Sequence, residues 1–406
     1  MSLLEFCIFY IVVPLVKVVV VLTAVSLWIA MLILAERKVI GWIQVRMGPI
    51  RVGFRGLLQP FADLFKLLAK EDLNPTQVNK FIFFIAPILC FVPAFTAFAV
   101  IPWGPESKFW GTVWNWIFGV LGLDIEIGPV PYYISDVNIG ILFILAISSL
   151  GIFGILLGGW ASNSKYPLLG GLRSAAQMIS YEVPLGFAVV GALMMAGSLS
   201  MVKIIESQQA FGWSFLWIQP LGFFLYYVAM VAETNRLPFD LPEAENELVA
   251  GFHTEYSGLK FMFFFFAEYA NIVLVSAVAT TLFLGGWLPP FHGFISEDSF
   301  LYMIPAPLWF VGKICFLLYS FLWVRGTFPR YRYDQLMRLG WKWFIPLAIV
   351  NVLCIGLNII IRKQAGWPEI AMIPLGIAEI VIIAVFVYAW WVIRGKKDES
   401  YYKAII

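Results

Sequence analysis

A chain of 406 residues that is 61% hydrophobic, only 13% charged and has a mean hydropathy of +0.86 carries too little charge to cover a water-soluble surface. Soluble domains run about 25% charged, so the two or three soluble domains that length alone would suggest are excluded, and an integral membrane protein is left. The net charge of +2 gives no basis for nucleic-acid binding.

Taken in chain order, nine apolar runs are long enough to cross a hydrocarbon core of about 30 Å as helices of about 20 residues. They fall at 6–35, 81–103, 139–160, 183–202, 211–232, 261–287, 303–324, 343–361 and 370–393. Runs such as FIFFIAPILCFVPAFTAFAV are continuously apolar, whereas a β-barrel needs alternation, so the spans are helical. The first run is too long for a signal peptide and is read as a span.

Between the first two spans, Leu57, Leu58, Phe61, Leu64, Phe65 and Leu68 form one stripe at helical spacing, with Asp63, Lys66 and Lys70 on the other side. This predicts an amphipathic helix lying along the membrane interface, apolar face inward. As a plain surface anchor it needs no further role. As a roof over a cavity it would admit an amphiphile, with Arg37, Arg46 and Arg51 as donors to its polar head.

The other informative loop is 233–260. It holds Glu233, Asp240, Glu243, Glu245, Glu247 and Glu255 against one nearby base, Arg236. At helical geometry Asp240, Glu243 and Glu247 share a face and Glu245 points away. Crowded carboxylates cannot all stay ionised, which suits a proton relay. A solvated acidic loop is the simpler reading; the interleaved Leu, Phe and Val argue for partial burial instead. Lys17, Glu268, Lys313 and Glu379 lie within spans, where ionisable groups face a protein interior or a water path.

Cys7, Cys90, Cys315 and Cys354 stand alone in apolar stretches, and His253 and His292 have no ligand-like spacing, so neither a disulfide framework nor a metal site is expected. Of 27 Lys and Arg residues, 21 fall in the loops 36–80, 161–182, 233–260 and 325–342 and in the tail 394–406. The positive-inside rule then puts the N-terminus outside and the C-terminus in the cytoplasm.

The stretches AERKVIGWIQVRMGP, RVGFRGLLQPFADLFKLLAKE, GWASNSKYPLLGGLRSAAQMISYEVPLG, AETNRLPFDLPEAENELVAGFHTEYSG, FFFAEYANI, TTLFLGGW and WVRGTFPRYRYDQLMRLGWK occur in this order. Together they closely resemble the quinone-site membrane subunit of respiratory complex I, the proton-pumping NADH:quinone oxidoreductase. The resemblance implies an all-α integral membrane protein of eight core spans plus the interfacial helix. To these the sequence adds a ninth, C-terminal span. The division that follows is a core over residues 1–361, with cavity loops 36–80 and 233–260, and an extension over 362–406.

By the same resemblance, quinone, whether ubiquinone or menaquinone, enters under the interfacial helix. Electrons reach it from an iron–sulfur cluster in a peripheral subunit. That cluster and the FMN belong to partner subunits, and this chain has no catalytic residue of its own. Arg37, Arg46, Phe54 and Arg236 fall at or near the quinone path. Glu36, Asp63, Glu182, Glu233, Asp240, Glu243, Glu245 and Glu247 form the proton-coupling set. Implied partners are peripheral iron–sulfur subunits at the inner loops, small membrane and antiporter-like subunits alongside, and lipid, in a bacterial inner membrane. Three departures from the family pattern stand out: Ile50 in place of an Asn, a longer Trp-rich stretch at 104–135, and the ninth span with its basic tail.

Two other readings remain open on the sequence. Intramembrane acids and Pro14, Pro87, Pro93 and Pro220 also suit a proton-coupled transporter, although no internal repeat is seen and the acids gather at one face. The other is a homologous anchor in an energy-converting hydrogenase, or in a dehydrogenase with another donor, since donor identity lies in other subunits; the intact quinone-loop motifs favour quinone over hydrogenase.

Overall fold

The structure, a computed structural model, describes residues 8–108, 111–113, 115, 128, 130–212, 214–241, 249–293, 299–366, 376–385 and 388. It is an all-α bundle in which, among the described residues, seven helices are long and apolar enough to cross a membrane; two shorter apolar helices, Pro220–Glu233 and Gly376–Val385, accompany them. The chain is a multi-pass membrane protein.

Helix α1 (Val13–Ile43) has 31 residues, about 46 Å at the helical rise, so its end carries side chains beyond the hydrocarbon. A loop leads to α2 (Gln59–Ala69), the amphipathic helix expected from the stripe. Leu57, Leu58, Phe65 and Leu68 remain exposed, so the chain's own helices do not cover that face. Lys260 then ties residues 72–74 to α9 (Gly258–Phe283), through Asp72 at 3.0 Å and through Asn74.

Helices α3 (Lys80–Thr96) and α4 (Gly140–Ala161) pack side by side, and α4 also lies against α5 (Lys165–Ala196). Two short strands, β1 (Glu106–Ser107) and β2 (Val130–Pro131), pair antiparallel at the base of the Trp-rich stretch. Lys17 donates to the Tyr133 carbonyl beside them at 3.4 Å.

The span expected at 183–202 is the second half of α5, which runs unbroken from Lys165. What hydropathy reads as a loop at 161–182 is therefore mostly helix. The reason is that its polar residues point into the bundle: Ser174, Gln177 and Ser180 are buried, and Gln177 Nε2 donates to the carbonyls of Ala232 (2.7 Å) and Phe239 (2.8 Å).

The span expected at 211–232 is likewise divided. Helix α6 (Met201–Phe211) ends at Gly212 in the left-handed region, α7 (Phe215–Ile218) is one turn, and α8 (Pro220–Glu233) begins at a proline, whose missing N–H costs nothing in a first turn. The third difference lies near the C-terminus. After α10 (Phe300–Met303) and α11 (Ala306–Thr327), helix α12 (Tyr333–Leu339) joins α13 (Ile345–Ala365) through a π turn, so the 343–361 span begins ten residues early. The described part of the ninth span, α14 (Gly376–Val385), packs beside α7, with Gly376 against the Trp217 carbonyl.

Helix α9 runs through the centre and contacts α3, α8 and α11. The turn that follows it is tied to α11 by the intramembrane Lys313, whose Nζ donates to the carbonyls of Leu284 (2.5 Å), Gly286 (2.9 Å) and Leu288 (2.6 Å). A basic group just past a helix C-terminus is favourable, and here it also gives three backbone carbonyls of the turn a hydrogen-bond donor. Lys313→Met is expected to lower the thermal midpoint in detergent, by about 2–3 kcal/mol of stability. An unchanged midpoint would show that these carbonyls find other partners.

Candidate functional site

Four elements converge where α1 leaves the bundle. The last turns of α1 bring Glu36 and Arg37, the first half of α9 brings Glu268 and Tyr269, the loop after α8 brings Arg236, and the end of α11 brings Arg325. Arg236 lies 3.4 Å from Glu36 and 2.8 Å from Glu268, with its guanidinium 4.3 Å above the Tyr269 ring. Arg325 also pairs with Glu36, and the Tyr269 hydroxyl donates to Glu36 Oε2 at 2.8 Å. Two carboxylates thus meet two guanidiniums. That balance is what makes it possible to bury Glu36 and Arg236, which are 6% and 7% exposed.

These side chains, with Arg37, Arg46, Met47, Pro49 and Phe265, line a cavity of about 540 Å³, within the range of small-molecule sites. A second cavity of about 190 Å³ lies behind it, lined by Glu233, Asn235, His253, Phe261 and Asn271. Phe265 and Glu268 line both, so Glu268 faces each chamber. Beyond the second chamber, Glu182 acts electrostatically on Glu233 and accepts a 2.8 Å hydrogen bond from Ser149.

Of the expected quinone-path residues, Arg37, Arg46 and Arg236 line the larger cavity; Phe54 is 75% exposed and lies outside it, under the Arg55 guanidinium. Of the expected proton-coupling set, Glu36 and Glu233 line the two chambers. Asp63 stands at the rim, bonded to Arg37 at 2.7 Å and to Gln59 at 3.1 Å. Asp240 is buried and pairs with Arg330 at 3.1 Å. It does not continue a helix. Helix α8 stops at Glu233, Asn235 takes a left-handed φ of +51°, and Asp240 follows a turn; the face it is expected to share with Glu243 and Glu247 falls outside the described residues. Glu243, Glu245 and Glu247 lie outside the described residues.

Sequence patterns assign Arg325, Tyr269 and Arg330 to no site. Arg325 and Arg330 bear only on orientation, as bases of the loop after α11, although both lie in the stretch WVRGTFPRYRYDQLMRLGWK. The signal for Arg330 is a balance of charge: Asp240, once buried, requires a cation, and its own loop has only Arg236 nearby, which is taken by Glu36 and Glu268.

His253 sits between the rings of Phe252 and Phe261, and burial pulls its pKa down to about 4, against a smaller upward pull from Asp240. It is neutral at pH 7. Because the folded value lies below the unfolded value of about 6.5, the unfolded chain takes up the proton first. Stability is therefore intact above pH ~6.5 and declines as pH falls toward ~4, by up to about 3 kcal/mol. His253→Gln is expected to flatten that part of a melting-versus-pH curve. An equal slope in the variant would assign it to other groups.

The fold and the paired cavities define a multi-pass membrane protein with an arginine-rich chamber, built around a buried Glu–Arg cluster, at one end of its bundle. The chain belongs to the NADH dehydrogenase family, whose profile matches residues 16–356. Three relatives are H subunits of NADH-quinone oxidoreductases. The chain is 50% identical over 353 residues to the first such subunit of Geobacter sulfurreducens, covering 86% of this chain and 95% of the relative. It is also 50% identical over 347 residues to the second such subunit of Geobacter metallireducens, covering 84% and 94%. Identity to the counterpart from Magnetococcus marinus is 49% over 341 residues, covering 84% and 90%.

Proposed function

We propose that this chain forms part of the quinone cavity of a proton-translocating NADH:quinone oxidoreductase and couples quinone reduction to proton movement through its carboxylates. The observation that carries this is the pair of chambers sharing Glu268: one is large and lined with arginines, the other leads to Glu233. The names of the relatives point to the same assembly.

In this reading a quinone headgroup occupies the larger cavity, with Arg37, Arg46 and Arg236 as donors to its oxygens. Electrons come from an iron–sulfur cluster in a peripheral subunit docked on the loops 36–80 and 233–260, and FMN lies further away in another partner. Reduction builds negative charge and proton demand beside the Glu36–Arg236–Glu268 cluster. A carboxylate network answers such a change by redistributing protons, and Glu268 borders the chamber through which the change reaches Glu233 and then Glu182. Asp240 and the acids Glu243, Glu245 and Glu247 extend the network on the loop.

The N-terminus is placed outside and the C-terminus in the cytoplasm of a bacterial inner membrane. Small membrane subunits and antiporter-like subunits lie laterally against the core, residues 1–361, and the extension, 362–406. The exposed stripe of α2 suits quinone tails, lipid or a partner helix.

The test is to isolate the tagged chain from native membranes in mild detergent, identify its companions and assay inhibitor-sensitive NADH:quinone reductase. Co-isolation with iron–sulfur and antiporter-like subunits and with reductase activity supports the reading; a hydrogenase module, or a lone chain, overturns it. Within that complex, Arg37→Ala is expected to raise the KM for quinone several-fold. Stability should change by less than about 1 kcal/mol, because the Arg37–Asp63 pair is half exposed on the arginine side. Unchanged quinone kinetics would remove Arg37 from the path.

A further inference from the structure

Far from Glu233, at the opposite end of α8, lies a second buried polar cluster that the quinone reading does not use. Gln219 from the α7–α8 break, Asn351 from α13 and Glu379 from α14 are 0%, 1% and 2% exposed. Glu379 Oε2 accepts a 3.1 Å hydrogen bond from the Leu221 N–H, which the start of α8 leaves without a helical partner. Its other oxygen has no hydrogen-bond partner among the described residues, and the same holds for both amide atoms of Gln219 and both of Asn351.

The two amides look into one space. Gln219 Oε1 lies 2.8 Å and 3.0 Å, and Asn351 Nδ2 3.3 Å and 3.2 Å, from the positions that side-chain carbons would take on Gly191 and Gly222. The missing side chains of these two glycines, on α5 and α8, are therefore what lets both amides sit together between the helices. Five buried polar atoms, some donors and some acceptors, do not match a cation, which would leave the amide N–H groups unanswered. Water is both donor and acceptor and makes about three hydrogen bonds in such sites, so about two molecules would satisfy the set.

We propose that Gln219, Asn351 and Glu379 enclose a buried water site, completed by α14, in which the Glu379 carboxyl is the proton-bearing group. Asn351 and Gln219 lie within the matched family region, whereas Glu379 lies beyond it, so the C-terminal helix brings the acid to amides supplied by the core. The site gives the far end of α8 a protonatable group apart from the carboxylates around the quinone cavity, and a carboxyl beside water is the minimal element of an intramembrane proton path. It does not depend on the identity of the substrate in the larger cavity.

The test is a map of the assembled complex at a resolution that shows water, for the wild type and for Gly222→Ala, with infrared difference spectra of the wild type and Glu379→Gln across a pH jump. Ordered waters are expected within hydrogen-bonding distance of Gln219 and Asn351 in the wild type; in Gly222→Ala, where the methyl would come within 3.0 and 3.2 Å of the amide atoms themselves, the amides and the waters they hold should shift together. A carboxyl band should respond to pH in the wild type and be absent from Glu379→Gln, where the amide oxygen still accepts from Leu221. A direct Gln219–Asn351 hydrogen bond with no water, waters left in place while the amides shift in Gly222→Ala, or superimposable infrared spectra would each overturn the proposal. Should Glu379→Gln fail to assemble, the two maps decide.

Discussion

Arg236→Leu is expected to abolish quinone reductase activity and to destabilise the chain by about 3–5 kcal/mol, the cost of breaking a buried ion pair by removing one partner. Arg236 pairs with both Glu36 and Glu268. Without it, Glu36 keeps Arg325 and the Tyr269 hydroxyl, while both Glu36 and Glu268 lose the guanidinium that joins them. The stacked face of Tyr269 is lost as well. Arg236→Lys keeps the charge but cannot reproduce the planar fork that reaches two acids and a ring together, so it should fall between the two. Reductase turnover and the melting point of the purified complex measure both effects. Wild-type turnover in Arg236→Leu would take the charge cluster out of the proposed mechanism.

The second large effect is expected at Glu233. Glu233→Gln should lower coupled proton translocation on the order of a hundredfold or more, the range associated with loss of a proton-transferring group, with assembly retained because glutamine keeps the shape. Glu182 acts electrostatically on Glu233, so the two belong to one network. The double variant Glu182→Gln with Glu233→Gln should then be scarcely worse than either single change. Pumping measured in sealed vesicles separates the cases. Multiplying defects would mean that the two acids serve independent steps, and undiminished pumping in Glu233→Gln would remove it from the route.

Much of this was legible from residue order, because the forces that place membrane helices are written locally. Continuous apolar runs marked the long helices, and the stripe from Leu57 to Leu68 marked α2. What was not legible depended on partners far along the chain. Gln177 looks like a loop residue until its amide is seen holding the carbonyls of Ala232 and Phe239, and only then does α5 reach back to Lys165. The Gly212–Pro220 break sits inside a run that averages as one span. At the site, Arg37, Arg46, Glu36 and Arg236 are marked by motif, while Arg325 and Tyr269 are not, since they approach Glu36 only through the crossing of α9 and α11 with α1.

The brevity of α8 carries a consequence for biogenesis. Its 14 residues rise about 21 Å, well short of the hydrocarbon thickness. The rest of the crossing is made by the break at 212–219, whose backbone leaves polar groups that lipid cannot satisfy. Phe215, Ile218 and Gln219 are buried by neighbouring helices, so this crossing is stable only among them. Of those neighbours, α9, α13 and α14 are synthesised after it. The segment cannot insert as a self-sufficient unit, and a nascent chain arrested before residue 300 would present it to the insertion machinery as an unfinished span, held at the interface until the later helices arrive.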